Sequence, residues 1–350
     1  MFLRASFPDM DRRAFLLASS AVVAGRAFSA SPSPAKSTFG ICIYSYGATR
    51  KFSDTLAFLD HCNSLGAAGI QMQLTSLDLP FAEKVKTKAA EYGMYYEGIV
   101  TMPKPLAKDD SHANFEQQLI AAKAAGARLV RSACLGSRRY ETFKNLEDWK
   151  AFVQDSHEAL DAALPLLEKH QITLALENHK DWTIDEMIEI QEKHKSDYFG
   201  SCLDFGNNLA LLDSPESAMK LAPYAVATHV KDIQIGPDPL GFRMAEAPIG
   251  TGIIDVRGIV QAIRKVRPDT KFTLEMITRD PLMIPCDTVP YWATFPDRGG
   301  IYLARMLEMV RERGKTWMDR VSHEAPAFQA KLADDNLKSC LDAGRGPLAI

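Results

Sequence analysis
The chain has 350 residues, 46% hydrophobic and 24% charged, enough apolar material for one large core. α/β barrels commonly fill this length as a single domain. A net charge of −3 and the lack of any basic block argue against a nucleic-acid surface, and past residue 30 no apolar run is long enough to be a membrane-spanning helix.

The first thirty residues read as a leader and not as part of a fold. Asp11-Arg12-Arg13-Ala14-Phe15-Leu16-Leu17 opens a short apolar run that ends near Ala27-Phe28-Ser29-Ala30, before a Ser/Pro-rich spacer at 31–37. Charged start, short apolar centre and small residues before a polar stretch describe a secretory signal. The paired arginines look like the twin-arginine type, which predicts a periplasmic or otherwise exported protein. Asp11 stands where Ser or Thr is usual in that pattern. Six cysteines, at 42, 62, 134, 202, 286 and 340, form no C-x-x-C pair, so a thiolate metal site is not indicated.

From Phe39 the chain alternates. Phe39–Tyr46 reads as a strand, followed by a helix from Ser53 to Leu65, with Ser53 as cap and Gly66 as stop. A strand at 69–74, a helix at 80–92, a strand at 94–102 and a helix at 114–125 come next. A strand at 127–135 then leads to a long helix from Asn145 to His170. The run Ile172-Thr-Leu-Ala-Leu-Glu177 is apolar without alternation, as in a parallel strand covered on both faces. Further strands end at Asp204 and His229, and one at 271–278 carries Glu275, with helical patterns between them. Eight strands, each followed by a helix, predict a (β/α)8 TIM barrel over residues 38–315. The first strand is followed by no G-x-G-x-x-G, which removes the main support for a dinucleotide fold.

Two spacings are irregular. Residues 236–251 and 279–300 are long loops on the catalytic side, expected either to wall or lid a pocket or to pack on the rim. Gly250-Thr251-Gly252 reads as a tight turn leading to Asp255 as a helix cap, in preference to a phosphate cradle. The tail from Tyr302 is expected to hold the eighth helix. A charged helical extension over 316–350 would then pack outside the barrel or on a second subunit of a homo-oligomer.

Glu177, Asp204, His229 and Glu275 all fall at the carboxyl ends of consecutive strands, where barrels place their chemistry. Three carboxylates crowded together repel one another unless a cation sits between them. One imidazole and three carboxylates suit a divalent ion such as Mn²⁺, Co²⁺, Mg²⁺ or Zn²⁺. Such an ion stabilises the enediolate formed when a proton leaves the carbon beside a carbonyl. Side-chain alternation puts His179 with Glu177, and Lys231 with His229, so substrate binding or proton transfer is read for His179 and enolate stabilisation for Lys231. Asp232 is expected to orient Lys231 or a loop. Trp292, with Tyr291, offers an aromatic face for a sugar.

The runs A-L-E-N-H-K-D, C-L-D-F-G-N-N, T-H-V-K-D, G-T-G-I-I-D and F-T-L-E resemble the xylose-isomerase-like barrel superfamily. They are most similar to its sugar phosphate isomerase/epimerase branch, with the ketose 3-epimerases, hydroxypyruvate isomerase and inosose dehydratase. The resemblance covers Phe39 to about Val310. It implies that Glu177, Asp204, His229 and Glu275 ligate the metal, and that Glu177 and Glu275 also form an acid/base pair on opposite faces of the substrate. Epimerases of the branch often carry His three residues after the Asp ligand; here Asn207 stands there, able to bind a hydroxyl but not to shuttle a proton. A three-metal nuclease of the superfamily needs more histidines, and Gln73 and Thr101 hold the early-strand positions instead. The function expected is therefore isomerisation or epimerisation of a small carbohydrate or polyol. Elimination from a keto-sugar or inosose is the chemical alternative, and a non-catalytic sugar-binding barrel is the alternative from another class.

Overall fold
The computed structural model describes residues 36–105, 111–346 and 348. The leader-like segment and most of the spacer lie outside these residues. Eleven strands are formed among them: β1 (Phe39–Cys42), β2 (Gly69–Met72), β3 (Tyr95–Ile99), β4 (Leu129–Ser132), β5 (Thr173–Glu177), β6 (Phe199–Asp204), β7 (Ala225–Val230), β8 (Asp232–Asp238), β9 (Gly241–Ala247), β10 (Phe272–Leu274) and β11 (Leu282–Ile284). Eight of them close a parallel barrel in the order β1-β10-β7-β6-β5-β4-β3-β2, so the predicted (β/α)8 TIM barrel is what the chain forms. Apolar side chains of these strands, among them Ile41, Ile70, Val130, Leu174 and Leu203, are completely buried, as a sheet covered on both faces requires.

Register sets the height of the site. Glu177 pairs with Cys202 and Asp204 with His229, and a register shift at Ser201/Cys202 lets β6 and β7 finish level. Helices are started by local chemistry. Asp54, one residue beyond the predicted cap Ser53, accepts from the Ala57 N–H, and Gly66 ends that helix at φ 79°. Thr183 and Glu186 form a reciprocal capping box just after the site strand β5.

Two expectations are corrected here. The segment 236–251 is not an open loop: β8 and β9 form an antiparallel hairpin, and β11, from the second long connection, adds to its edge. Its alternation of buried Ile233, Ile235, Phe242 and Met244 is a period-2 pattern that the neighbouring glycines and prolines obscured. The helix Gly300–Arg313 is also not the eighth barrel helix. It leads into this small sheet, where Lys315 N donates to Ile235 O. The ring is completed by the terminal helix Pro326–Arg345, which buries Ala333, Leu337, Cys340 and Leu341. Asp334 of that helix meets Tyr46 and Arg50 after β1, while Leu341 O accepts from Ser37 before it. The helix therefore runs antiparallel to β1.

Candidate metal centre
Glu177 closes β5, Asp204 closes β6, His229 lies one residue before the end of β7, and Glu275 follows β10. One donor atom from each lies within 4.8 Å of the others, and all four residues are buried. His229 Nδ1 sits at the centre, 3.2 Å from a Glu177 oxygen, 3.5 Å from Glu275 and 3.8 Å from Asp204. It has no hydrogen-bond partner. An orphaned imidazole nitrogen surrounded by three carboxylates fits a divalent cation, which accepts all four donors together.

The ring is turned from below. His229 Nε2 lies 2.6 Å from Gln71 Oε1 in β2, and Gln71 Nε2 donates to Glu97 Oε2 in β3 at 3.0 Å. Because an amide oxygen only accepts, Nε2 carries a proton in either charge state, which leaves Nδ1 facing the site. Burial opposes a second proton, yet Cys202, Glu177 and Glu275 draw the imidazole well above its ordinary value, so an arriving cation would displace a proton from Nδ1. Glu97 is wholly enclosed in the barrel, and burial pushes its carboxyl up to about 7, with Gln71 and Thr273 opposing.

Cations brace the carboxylates. Arg131 of β4 donates to Glu177 Oε2 through both Nε, at 2.6 Å, and Nη2. Asn207 Nδ2 donates to the other oxygen at 2.9 Å. Burial opposes ionisation of Glu177, but Arg131 holds its carboxyl well below the usual range. Lys231 bridges Asp204, at 2.7 Å, and Glu275. Against the pull of burial, Lys231 and His229 hold the Glu275 carboxyl down at about 2, whereas burial pushes that of Asp204 up.

Above the quartet opens a cavity of about 760 Å³, lined among others by Tyr44, Arg131, His179, Lys180, Glu275 and Arg279. The His179 ring is fixed by Nδ1, 2.9 Å from Leu135 O. Since a carbonyl only accepts, Nδ1 is protonated and Nε2 is the basic nitrogen. Burial lowers the imidazole to about 4.

The predicted residues thus divide. Glu177, Asp204, His229, Glu275 and Lys231 come together, and His179 joins them at the cavity wall. Asn207 is buried and bonds Glu177 and Lys180, with no face on the cavity. Trp292 does not line the cavity, and its indole N–H donates to Cys286 O at 2.9 Å. Its loop is pinned to the rim. Arg139 stacks between Trp149 and Phe295 and bonds both Thr294 Oγ1 and Thr294 O, while Tyr291 donates to Ala210 O. Asp232 does orient a loop: its carboxylate accepts from the N–H groups of Gly250 and Gly252, so the amides of a phosphate cradle are already engaged.

Arg131, Lys180, Gln71 and Glu97 were not singled out from the sequence. A charged or amide side chain inside an otherwise apolar strand was the available signal for Arg131, Gln71 and Glu97. Lys180 carried none beyond adjacency, because its backbone conformation, at φ 58°, is not written in its neighbours.

Comparison with known proteins follows the same lines. A 3-oxo-isoapionate decarboxylase of Pectobacterium atrosepticum is 26% identical over 185 residues, 52% of this chain and 61% of that protein. The match therefore spans about six-tenths of the relative's length. A D-psicose 3-epimerase solved in the presence of D-fructose superposes with a TM-score of 0.55 at 15% identity, covering 85% of this chain and 96% of its own. A xylose isomerase-like TIM barrel protein from Mycobacterium smegmatis in complex with magnesium gives 0.51 at 16% identity, covering 78% and 97%. These two likenesses are likenesses of fold. A family model described as xylose isomerase-like TIM barrel matches residues 59–294, and the chain belongs to that family.

Proposed function
We propose that this protein is a metal-dependent enzyme that removes a proton beside a carbonyl of a small carbohydrate and returns it, as an isomerase or epimerase. The observation that carries the reading is Glu275, which belongs to the quartet around His229 Nδ1 and also opens onto the cavity. Glu177, Asp204, His229 and Glu275 would hold a divalent ion, which would supply polarisation of a carbonyl and stabilisation of negative charge on its oxygen.

The chain's own groups do the rest. Glu275 accepts the proton from the substrate carbon, within reach of its metal-side position. His179 Nε2, unprotonated and facing the cavity, exchanges a proton with a hydroxyl or with the opposite face of the substrate. Glu177, clasped on both oxygens by Arg131 and Asn207, is held as a ligand in this arrangement, and Lys231 fixes the orientation of Glu275. A second reading is expulsion of a leaving group from the same enediolate, or formation of that enediolate by loss of CO₂ from a keto acid in place of a proton. The curated relative, named as a decarboxylase, favours it.

Metal analysis of purified protein beside Glu177→Gln and His229→Ala tests the site. The expected result is about one divalent ion per chain, lost in both variants. Metal-dependent exchange of solvent deuterium into a bound ketose then separates an enzyme from a sugar-binding barrel. A wild type that takes up no divalent ion, and exchanges nothing when Mn²⁺, Co²⁺, Mg²⁺ or Zn²⁺ is supplied, removes the reading. The twin-arginine-like start extends it to an exported enzyme. That extension fails if fractionation finds the Arg12→Lys, Arg13→Lys double variant exported as well as the wild type.

A further inference from the structure
Lys180 is a cation of the cavity wall that the reaction above does not use. Lys180 follows the site strand β5 and is 5% exposed, yet it lines the cavity beside Glu275. Its backbone is left-handed, a conformation that side chains other than glycine's hold only where the surroundings impose it. Its ammonium makes one hydrogen bond, to Asn207 Oδ1, which is neutral. Two further N–H donors remain.

No described carboxylate reaches Lys180 within 4.0 Å. Asp204 and Glu246 are the acidic groups that act on it through space, and each has its own cation: Lys231 at 2.7 Å and Arg279 at 2.5 Å. The other two cations on this part of the wall are paired as well, Arg131 with Glu177 and Arg279 with Glu246. Burial, followed by Lys231 and Arg279, lowers Lys180 to about 8, so the group is still charged at neutral pH. A buried ammonium facing a cavity without a counter-charge is unfavourable until an anion arrives.

We propose that Lys180 seats the carboxylate of an acidic sugar, so that the substrate is a keto acid and not a neutral ketose. The proposal deepens the function proposed above, because it names the substrate class of the same cavity. A carboxylate is preferred over a phosphate on donor count. A phosphate dianion has three oxygens to satisfy, and a lysine that binds one works beside further donors such as a guanidinium fork or a set of backbone amides. Both nearby guanidiniums already hold carboxylates, and the amides of Gly250 and Gly252 bond Asp232. Lys180 offers a compact point charge with two donors, which is enough for one carboxylate. Asn207 ties this seat to the quartet, since the same amide that accepts from Lys180 donates to Glu177.

Calorimetric titration of the Mn²⁺-loaded and metal-free protein with matched probes decides the matter. Xylonate and erythronate are the acids; xylitol and erythritol are their neutral partners. Wild type is expected to bind an acid at least tenfold more tightly than its polyol. Lys180→Gln is expected to lose that preference while polyol affinity changes less than twofold, and Lys180→Arg to keep part of it. A wild type that binds neither acid, or binds acid and polyol alike, overturns the proposal whether or not the Gln variant folds. So does an acid preference that survives in Lys180→Gln, because direct chelation of the metal then explains it. Failure of the enzyme reading looks different: no metal uptake and no solvent exchange, with the acid preference in metal-free protein unaffected.

Discussion
The Nε2 atom of His229 is held 2.6 Å from Oε1 of Gln71, a residue 158 positions away in sequence whose strand, β2, is three strands round the barrel from β7. That contact decides which imidazole nitrogen faces the three carboxylates. Replacing Gln71 with Leu leaves Nε2–H unpaired and frees the ring to turn. Partners of this kind typically cost 10–100-fold in metal affinity when removed. We expect Gln71→Leu to weaken divalent-ion binding by about that factor, measured by competition with a chromogenic chelator, while Gln71→Glu restores most of it. Unchanged affinity in Gln71→Leu would show that the carboxylates alone orient the ring.

Glu97, next in that line, gives a pH dependence with a definite sign. Burial raises its carboxyl from 4.5 to about 7 in the folded protein. The native state therefore holds a proton that the unfolded chain has released. Stability from this group is full below pH 4.5 and is lost as pH rises to 7. The loss amounts to about 3 kcal/mol over that window. Urea unfolding of wild type at pH 5 and pH 8 is expected to differ by more than that of Glu97→Gln, which has nothing to titrate. Parallel pH profiles for the two proteins would exclude this role.

How much of this was readable beforehand follows from what a strand-end residue announces. Glu177, Asp204, His229 and Glu275 are polar groups ending apolar runs, so the pattern itself marks them, and the repeated strand–helix alternation gives the barrel. The supporting residues do not mark themselves this way. Arg131 sits inside β4 as one charge among apolar neighbours, and its partner lies 46 residues away. The hairpin of β8 and β9 was missed because Gly236, Pro237 and Pro239 read as loop, although Pro237 lies near the turn end where a ladder tolerates it. The terminal helix was expected as an extension, and its place in the ring was not, because charged residues on its outer face dilute the buried stripe of Ala333, Leu337 and Leu341.

Arg131 and Glu177 form a buried pair, with side chains 8% and 0% exposed. Deleting one member of such a pair strands the other charge, at a typical cost of about 3–5 kcal/mol. Arg131→Met is expected to destabilise the metal-free protein on that scale in chemical denaturation. Added divalent ion should recover part of the loss, because it supplies the missing positive charge to Glu177. Equal destabilisation with and without metal would place Arg131 outside the site's electrostatics.

The Asp232 clasp leaves no room for a side chain at Gly252. A Cβ at Gly252 would stand 2.2 Å from Asp232 Oδ1 and 2.4 Å from Ile233 O, one of them backbone. Gly252→Ala must therefore break the clasp or move β8, which continues directly from Lys231. We expect lower thermal stability, together with weaker metal binding through displaced Lys231. Gly250 has open space around it, but its φ of 89° disfavours any L side chain. Gly250→Ala is thus expected to cost stability while leaving metal affinity nearly intact, and equal effects on metal affinity from both variants would sink the clasp argument.

Metal itself should stabilise the fold, because the quartet exists only when β5, β6, β7 and β10 are assembled. Ligand that binds only the native state adds about 2.7 kcal/mol at a hundredfold excess over Kd. Addition of Mn²⁺, Co²⁺, Mg²⁺ or Zn²⁺ to metal-stripped protein is expected to raise Tm by several degrees and to do so in a concentration-dependent way. His229→Ala removes the central donor but leaves three carboxylates that now repel without an imidazole between them, so it should melt lower and respond weakly. Lys231→Met makes the sharper comparison. Lys231 neutralises Asp204 and Glu275 in the metal-free protein, so its removal should lower Tm without metal and enlarge the rise that metal produces. A rise in Lys231→Met no larger than in wild type would mean that Lys231 does not share those carboxylates with the ion.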